Sequence, residues 1–268
     1  MHVAALQMVS GASVQANLDA ARQLLEQAAA QGAELAVLPE YFCLMGLKDS
    51  DKLDVQEAPG RGPVQDFLAR AAGELKLWIA GGTVPLRASD SQHVRNSALV
   101  FAPSGECVAR YDKIHLFRFD NGLEQYDESR VIECGAEPVS FELPSIDGHH
   151  YRVGLSICYD LRFPELYRAM KADLLLVPSA FTYTTGQAHW EVLLRARAIE
   201  NLAYVVAAAQ GGVHENGRRT WGQSLIVDPW GDILAQHAQG AAVVMAEVRA
   251  DRLDAVRLQL PALKHGVL

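Results

Sequence analysis

The sequence predicts an α/β fold in which two mixed sheets pack face to face between outer helices, as a four-layer α-β-β-α sandwich. Short apolar strands alternate with amphipathic helices along the 268 residues, an order typical of βαβ units. The strands are apolar on both faces, so they need cover on both sides. The two halves of the chain also read alike. AELAVLPE (33–40) resembles ADLLLVPS (172–179), and FAPSGE (101–106) resembles VDPWGD (227–232). We therefore predict an internal pseudo-repeat within one domain, residues 1–268.

Hydrophobic periodicity and helix-capping residues place the elements of each half. The first half is predicted to contain a strand at 2–8, a helix at 13–31, a strand at 33–40, a helix at 63–76, a strand at 77–84 and a hairpin at 96–115. The second half is predicted to contain a strand at 153–158, a helix at 164–171, a strand at 172–179, a helix at 188–201, a strand at 204–210 and a hairpin around 229–231. The arm from about 252 has no partner in the repeat, and we expect it to serve packing or oligomer contacts.

Composition excludes several classes of function. A net charge of −8 argues against nucleic-acid binding and against attachment to anionic membranes. The start of the chain, MHVAALQM, lacks the basic and long apolar regions of a signal peptide, and no stretch is apolar for long enough to span a bilayer. The four cysteines show no CxxC pairing, which argues against a disulfide framework or a zinc site. We expect a cytoplasmic protein with reduced thiols.

The stretch VGLSICYDLRFPELYR (153–168) is the first candidate for a reactive site. It predicts a strand that delivers Cys158 at its carboxyl end, followed by a tight connection and a helix opened by Pro164. Reactive groups collect in loops at this edge of an α/β sheet, and nearby backbone N–H groups favour a thiolate. The alternative is that Cys158 is a small buried apolar side chain.

Two further charged residues follow or end strands. Glu40 comes directly after an apolar strand, and burial there would prepare it to act as a general base. Lys113, in RYDKIHLF, is expected to point to the same face as His115. The alternatives are a solvated carboxylate for Glu40 and a surface lysine on an edge strand for Lys113. His115 is either a structural hydrogen-bonding residue or the base for Cys158.

Three segments carry a family resemblance. LPEYF (38–42), YDKIHLF (111–117) and SICYDLRFPELYR (156–168) resemble, in order and spacing, the signature segments of the nitrilase (carbon–nitrogen hydrolase) superfamily. RARAIENLAYVVAAAQ (195–210) and DPWG (228–231) extend the resemblance over essentially the whole chain. The resemblance implies the same sandwich fold and a catalytic triad of Glu40, Lys113 and Cys158. It also implies a further active-site glutamate, which is best matched by Glu128, with Glu124 as an alternative.

The chemistry implied by the resemblance is amide hydrolysis through a thioester, without metal or organic cofactor. Glu40 takes the proton of Cys158, and the thiolate attacks the carbonyl carbon of the amide. Lys113 and the backbone N–H of Tyr159 form the oxyanion hole. Water then hydrolyses the thioester with the help of Glu40 and Glu128.

Within the superfamily, residues 178–200 and 209–231 resemble the branch of deaminated glutathione amidases and omega-amidases. This resemblance implies a small-molecule substrate: the terminal amide of a 2-oxo acid, hydrolysed to a carboxylate and ammonia. We expect Arg162 to attract this acidic substrate. Phe181, Tyr183 and Thr185, together with Trp190, could line the pocket, or they could pack in the core. The loop 117–129 is expected to influence specificity.

Other functions stay open from the sequence alone. Within the same superfamily the chain could be an N-carbamoyl amino acid amidohydrolase, an aliphatic amidase or a nitrilase. A papain-like Cys-His hydrolase would make His115 essential and Glu40 dispensable, and a non-catalytic binding protein would need neither. The resemblance also implies a homodimer or higher homo-oligomer, formed through the helix after Cys158 and the C-terminal arm.

Overall fold

The computed structural model describes residues 1–267, so the last residue of the predicted domain and of its C-terminal arm lies outside the described residues. Strands β1 to β8 are His2–Gln7, Leu35–Val37, Trp78–Ala80, Val84–Arg87, Val94–Phe101, Cys107–Asp112, Arg118–Asp120 and Gln125–Asp127. Strands β9 to β15 are Val139–Pro144, His150–Leu155, Leu174–Leu176, Tyr204–Ala207, Ser224–Val227, Ile233–His237 and Ala242–Glu247. Helices α1 to α6 are Val14–Ala30, Asp51–Asp54, Pro63–Leu75, Pro164–Met170, Tyr183–Asn201 and Ala250–Gln259.

Two mixed sheets repeat the same arrangement of strands. In the first sheet, β1, β2 and β3 are parallel, β15 is antiparallel on one side, and antiparallel β5 follows on the other with β4 and β6 along its edges. In the second sheet, β10, β11 and β12 are parallel, flanked by antiparallel β9 and by β13 and β14. This correspondence is the pseudo-repeat that the sequence predicts.

The two faces of each sheet pack against different layers. Side chains alternate along a strand, so Val3 and Ala5 of β1 join the core between the sheets, while Ala4 and Leu6 join the core beneath α1 and α3. On the second sheet, α4 packs so closely that a Cβ on Gly154 would lie 2.9 Å from the sulfur of Met170. Helices therefore cover both outer faces, which confirms the four-layer α-β-β-α sandwich.

Local sequence signals account for the helix ends. Ser13 caps α1 by accepting a hydrogen bond from the backbone N–H of Ala16. Pro63 and Pro164 open α3 and α4, where the missing N–H costs nothing. Helix α5 begins at Tyr183, five residues before the predicted start at Ala188. The prediction missed this first turn because its polar residues show no apolar periodicity.

The C-terminal segment begins with a packed helix. Helix α6 starts at Ala250, and its Leu253 and Val256 are buried. Arg257 donates hydrogen bonds to the carbonyl of Leu202, and its guanidinium pairs with Asp173. The predicted start of the arm at about 252 therefore falls inside a helix that is anchored to the second sheet. Among residues 1–267, no helix is both long and apolar enough to cross a membrane.

Candidate active site

Cys158 occupies a constrained turn at the carboxyl edge of the second sheet. It begins the 3₁₀ turn Cys158–Arg162, shortly after β10, and its φ of +48° lies in the left-handed region. Such a conformation is uncommon for a residue with a side chain and persists only where its surroundings hold it. Here the Cys158 N–H donates to the carbonyl of Pro178 at 3.0 Å. The Asp160 carboxylate accepts from the Ile157 N–H at 2.8 Å and from the Tyr111 hydroxyl at 2.7 Å.

The Cys158 thiol lies in an apolar and acidic environment. Its residue is 8% exposed, and burial raises the thiol pKa well above its usual value. The Glu40 carboxylate raises that pKa further, and the Lys113 ammonium opposes the rise. The backbone N–H of Ala180 lowers the thiol pKa, as expected, but desolvation outweighs this effect and the net pKa is raised. A nucleophilic Cys158 needs a base beside it.

Glu40 is a buried carboxylate with a fixed orientation. Its Oε1 accepts hydrogen bonds from Asn96 Nδ2 at 2.9 Å and from Lys113 Nζ at 2.8 Å. Its Oε2 accepts from the backbone N–H of Ala180 at 2.9 Å. Glu40 comes from the end of the β2 segment, Asn96 from β5 and Ala180 from the loop after β11. Both sheets thus contribute to holding this side chain.

Lys113 lies between two carboxylates. Directly after β6, it is 1% exposed, and its ammonium is 2.8 Å from Glu40 Oε1 and 2.8 Å from Glu128 Oε2. Burial by itself would lower the lysine pKa, but the charges of Glu128 and Glu40 raise it above its usual value. Lys113 is therefore a buried ammonium, and the alternative of a surface lysine is excluded.

Glu128, and not Glu124, joins this group. Its Oε1 accepts from the Tyr41 hydroxyl at 2.8 Å, and its Oε2 accepts from the Phe117 N–H at 2.7 Å. Burial raises the Glu128 pKa, but Lys113 and the hydrogen bonds from the Phe117 N–H and the Tyr41 hydroxyl together more than offset this effect, so the pKa lies below its usual value. Glu124 instead accepts a hydrogen bond from the Thr184 hydroxyl.

His115 supports the turn that carries Cys158. Its Nδ1 is 2.7 Å from Asp160 Oδ1, and its ring stacks on Phe163 with the centroids 3.6 Å apart. The same Asp160 carboxylate accepts the His115 backbone N–H. These contacts fit the structural interpretation of His115, since the bonded nitrogen is directed at Asp160.

A narrow pocket opens onto the thiol. Its lining residues are Glu40, Phe117, Glu128, Cys158, Tyr159, Arg162, Ala180, Phe181, Thr182, Thr185 and Arg218. Of the pocket residues predicted from the sequence, Arg162, Phe181 and Thr185 are present. Trp190 lies behind Phe181, with the ring centroids 5.0 Å apart.

Tyr183 does not line the pocket, and the prediction for it is wrong. It begins α5 and packs edge-on against Trp221, and the Arg219 guanidinium lies 3.4 Å from its ring centroid. The helical spacing turns Thr182 and Thr185 toward the pocket instead, and their hydroxyls are 2.7 Å apart.

The pocket contains two arginines with different surroundings. Arg162 is half-buried, its guanidinium nitrogens are 3.3 Å from His189 Nδ1, and it lies over the rings of Tyr159 and Phe181. Arg218 was missed by sequence reasoning, because it follows β12 in a loop without periodicity. The one available signal was the adjacent pair Arg218-Arg219 in a glycine-containing loop, ENGRRTWG.

The arrangement can support nucleophilic attack on a carbonyl carbon. It combines a thiol, a carboxylate and an ammonium in a site from which most water is excluded, where fixed charges act strongly. In the described part of the chain, no cluster of three or more His, Cys, Asp or Glu side chains is arranged to hold a metal ion.

The chain resembles known proteins over almost its full length. Residues 2–258 match the Carbon-nitrogen hydrolase family model. The chain is 42% identical to the deaminated glutathione amidase of Synechocystis sp. (strain PCC 6803 / GT-S), covering 98% of this chain and 97% of that protein. It is 35% identical to omega-amidase NIT2 of Homo sapiens, covering 93% of this chain and 88% of that protein.

A solved structure extends the comparison to three dimensions. The crystal structure of the C. elegans NitFhit protein superposes with a TM-score of 0.89 at 36% identity, over 99% of this chain. This chain spans 65% of that longer chain. Family model, sequence and fold agree, and the chain therefore belongs to the carbon-nitrogen hydrolase family, as an enzyme that hydrolyses carbon–nitrogen bonds other than peptide bonds.

Proposed function

We propose that this protein is a cysteine-dependent amidase that hydrolyses the amide of a small 2-oxo acid through a thioester. The observation that carries the proposal is that Cys158, Glu40 and Glu128 line one narrow pocket, with Lys113 paired to both carboxylates. The names of the relatives, deaminated glutathione amidase and omega-amidase, support the substrate class.

Acylation starts from the neutral thiol. Glu40 accepts the proton of Cys158 as the sulfur attacks the amide carbon, and the carbonyl oxygen becomes an oxyanion. The Lys113 ammonium and the Tyr159 N–H donate to this oxyanion. When the tetrahedral intermediate collapses, Glu40 returns its proton to the leaving nitrogen, the carbon–nitrogen bond breaks, and a thioester remains on Cys158.

Deacylation repeats these steps with water as the nucleophile. Glu40 accepts a proton from the water molecule as its oxygen attacks the thioester carbon. Collapse of the second tetrahedral intermediate releases the carboxylic acid, and the sulfur leaves and recovers the proton from Glu40. Glu128 also pairs with Lys113, and we assign it a part in positioning the water.

The leaving group depends on the substrate. An omega-amide such as 2-oxoglutaramate releases ammonia, as expected from the sequence. Deaminated glutathione instead carries the amide as its link to cysteinylglycine, so its hydrolysis releases the dipeptide and 2-oxoglutarate. The expectation of ammonia therefore applies only to the omega-amides, and the assay must follow the 2-oxo acid product as well.

The test compares the wild-type enzyme with Cys158→Ala on 2-oxoglutaramate, 2-oxosuccinamate and deaminated glutathione. We expect the wild-type enzyme to release the 2-oxo acid from at least one of them and the variant to release none. If the folded wild-type protein with a titratable thiol hydrolyses none of the three, the substrate assignment fails. A panel of N-carbamoyl amino acids, aliphatic amides and nitriles then separates the other family activities.

We also propose a cytoplasmic homodimer. The expected interface is α4, the helix after Cys158, together with the C-terminal arm, and the apolar side chain of Leu258 in that arm is 85% exposed. Light scattering after size-exclusion chromatography tests the assembly. A monomeric mass at micromolar concentration would overturn it, and a Leu258→Glu variant should shift the mass toward the monomer.

Cell fractionation tests the proposed cytoplasmic location.

A further inference from the structure

Arg218 lies on a loop held by buried polar contacts. His214 bridges the loop base, with Nδ1 2.8 Å from the Ser10 carbonyl oxygen and Nε2 2.8 Å from the Thr220 hydroxyl. The His214 N–H also donates to the Arg218 carbonyl at 2.9 Å. At the loop tip, Asn216 donates to the Gly46 carbonyl at 2.7 Å. The backbone that carries Arg218 is therefore held in place although it forms no regular sheet.

The Arg218 guanidinium enters the pocket with unused donors. Its Nη2 donates to the Ala180 carbonyl at 3.1 Å, and the group lies 5.1 Å from the ring centroid of Tyr126. Its Nε is buried and has no hydrogen-bond partner among residues 1–267. Buried donors without a partner are rare in folded proteins and call for an explanation.

Arg218 forms no ion pair with a carboxylate of residues 1–267, although the charge of Glu40 acts on it from a distance. Among the described residues, none places a carboxylate oxygen within 4.0 Å of Arg218. The nearby acids are already bonded to other donors: Glu40 to Lys113 and the Ala180 N–H, and Glu128 to Lys113 and Tyr41. Arg218 is therefore a cation in the pocket, with a planar set of donors available for a ligand.

We infer that Arg218 binds the carboxylate at the 2-oxo acid end of the substrate, an inference that rests on the proposed function. A guanidinium matches a carboxylate with two parallel N–H···O bonds, and this geometry supplies orientation as well as attraction. Arg162 is less suited to this role, because its guanidinium faces His189 and its side chain is only half-buried.

The position of Arg218 also links substrate binding to the reacting group. Its Nη2 holds the Ala180 carbonyl, and the N–H of the same residue holds Glu40 Oε2. Arg218 is thus two hydrogen bonds away from the general base Glu40, and a carboxylate bound to Arg218 is three away. Loss of Arg218 could act through the substrate or through Ala180, and the experiment must separate the two.

A matched pair of substrates separates them. 2-Oxoglutaramate and 4-oxopentanamide share the amide, the chain length and the ketone, but the second has a methyl group in place of the carboxylate. We expect Arg218→Gln to lower kcat/KM for 2-oxoglutaramate about 100-fold, mainly through KM, because a buried charge partner is lost. It should change kcat/KM for 4-oxopentanamide by less than about threefold, since that substrate has no charge to bind.

Two further variants serve as controls. Arg219→Gln changes the adjacent arginine, which stacks on Tyr183 outside the pocket, and it should leave both substrates unaffected. Arg218→Lys keeps the charge but not the planar fork, and its loss on 2-oxoglutaramate should be intermediate. If Arg218→Gln does not fold, the test uses Arg218→Lys instead and compares its loss of kcat/KM on 2-oxoglutaramate with its loss on 4-oxopentanamide. Equal losses on both substrates, or no loss on either, would overturn the inference.

A binding measurement on an inactive variant tests the role of Arg218 independently of the proposed amidase activity. Calorimetric titration of 2-oxoglutarate into Cys158→Ala and into the Cys158→Ala/Arg218→Gln double variant needs no catalysis. If 2-oxoglutarate binds the double variant about 100-fold more weakly than Cys158→Ala, the result supports the inference. This holds even if the wild-type enzyme hydrolyses no 2-oxo acid amide, because that failure would refute only the proposed function. Equal binding by both variants, or none by Cys158→Ala, overturns it.

Discussion

Replacement of Glu40 by glutamine tests which residue activates Cys158. Three donors converge on Glu40, from Asn96, Lys113 and the Ala180 N–H. A glutamine in the same place has one acceptor oxygen, so in either orientation its NH₂ group faces at least one of these donors. We expect the buried donor left without an acceptor to lower the free energy of unfolding by roughly 1–3 kcal/mol.

The loss of activity should be much larger than the loss of stability. Because the Cys158 pKa is raised by burial, few thiolates exist at neutral pH, and the base must remove the proton during attack. Removal of a general base typically costs about 10²–10⁴-fold in rate. We therefore expect kcat of Glu40→Gln on 2-oxoglutaramate to fall by that factor. Urea unfolding checks that the variant is folded under the assay conditions.

His115→Gln is the matched control. The glutamine amide can still donate to Asp160, so the turn that carries Cys158 should persist, and we expect kcat within about tenfold of the wild-type value. The reasoning is refuted if folded His115→Gln loses more than about 10²-fold while Glu40→Gln keeps more than a tenth of the activity. That pattern would identify a Cys-His hydrolase.

Three further predictions concern the same buried charges. In steady-state kinetics, Glu128→Gln should lower kcat at least about tenfold, whereas Glu124→Gln should change kcat less than about threefold. The reason is that, of these two glutamates, only Glu128 contacts Lys113. Lys113→Met leaves two buried carboxylates without their cation and should cost roughly 3–5 kcal/mol in urea unfolding; a loss below about 1 kcal/mol would contradict the buried ion pair. Burial raises the folded-state pKa of Glu128, but the Lys113 charge and the hydrogen bonds from Lys113, Phe117 and Tyr41 together lower it below its usual value. Its contribution to stability is therefore present above the unfolded-state pKa of about 4.3 and is lost as pH falls through the folded-state pKa. The stability difference between the wild type and Glu128→Gln should accordingly shrink below about pH 4, and a constant difference would contradict the ionic origin.

Much of the fold could be predicted because its signals are local. The N-cap Ser13, the helix-opening Pro63 and Pro164, and the apolar strands that precede Glu40 and Cys158 each depend on a few neighbouring residues. The similarity of the two halves was also visible in short segments. The pairing of β15 with β1 was not, because it joins the two ends of the chain, and no local pattern encodes a partner so distant in sequence.

The sequence by itself determined the likeness to the family and the order of strands and helices, and it pointed to Glu40, Lys113 and Cys158 as candidates for one site. Only the tertiary structure decided which groups meet and in what ionisation state. Sheet register and loop paths select Glu128 over Glu124, exclude Tyr183 and bring Arg218 into the pocket. The physical reason is that hydrogen-bond partners and desolvation depend on atoms contributed by both halves of the chain, whereas capping and periodicity depend on adjacent residues.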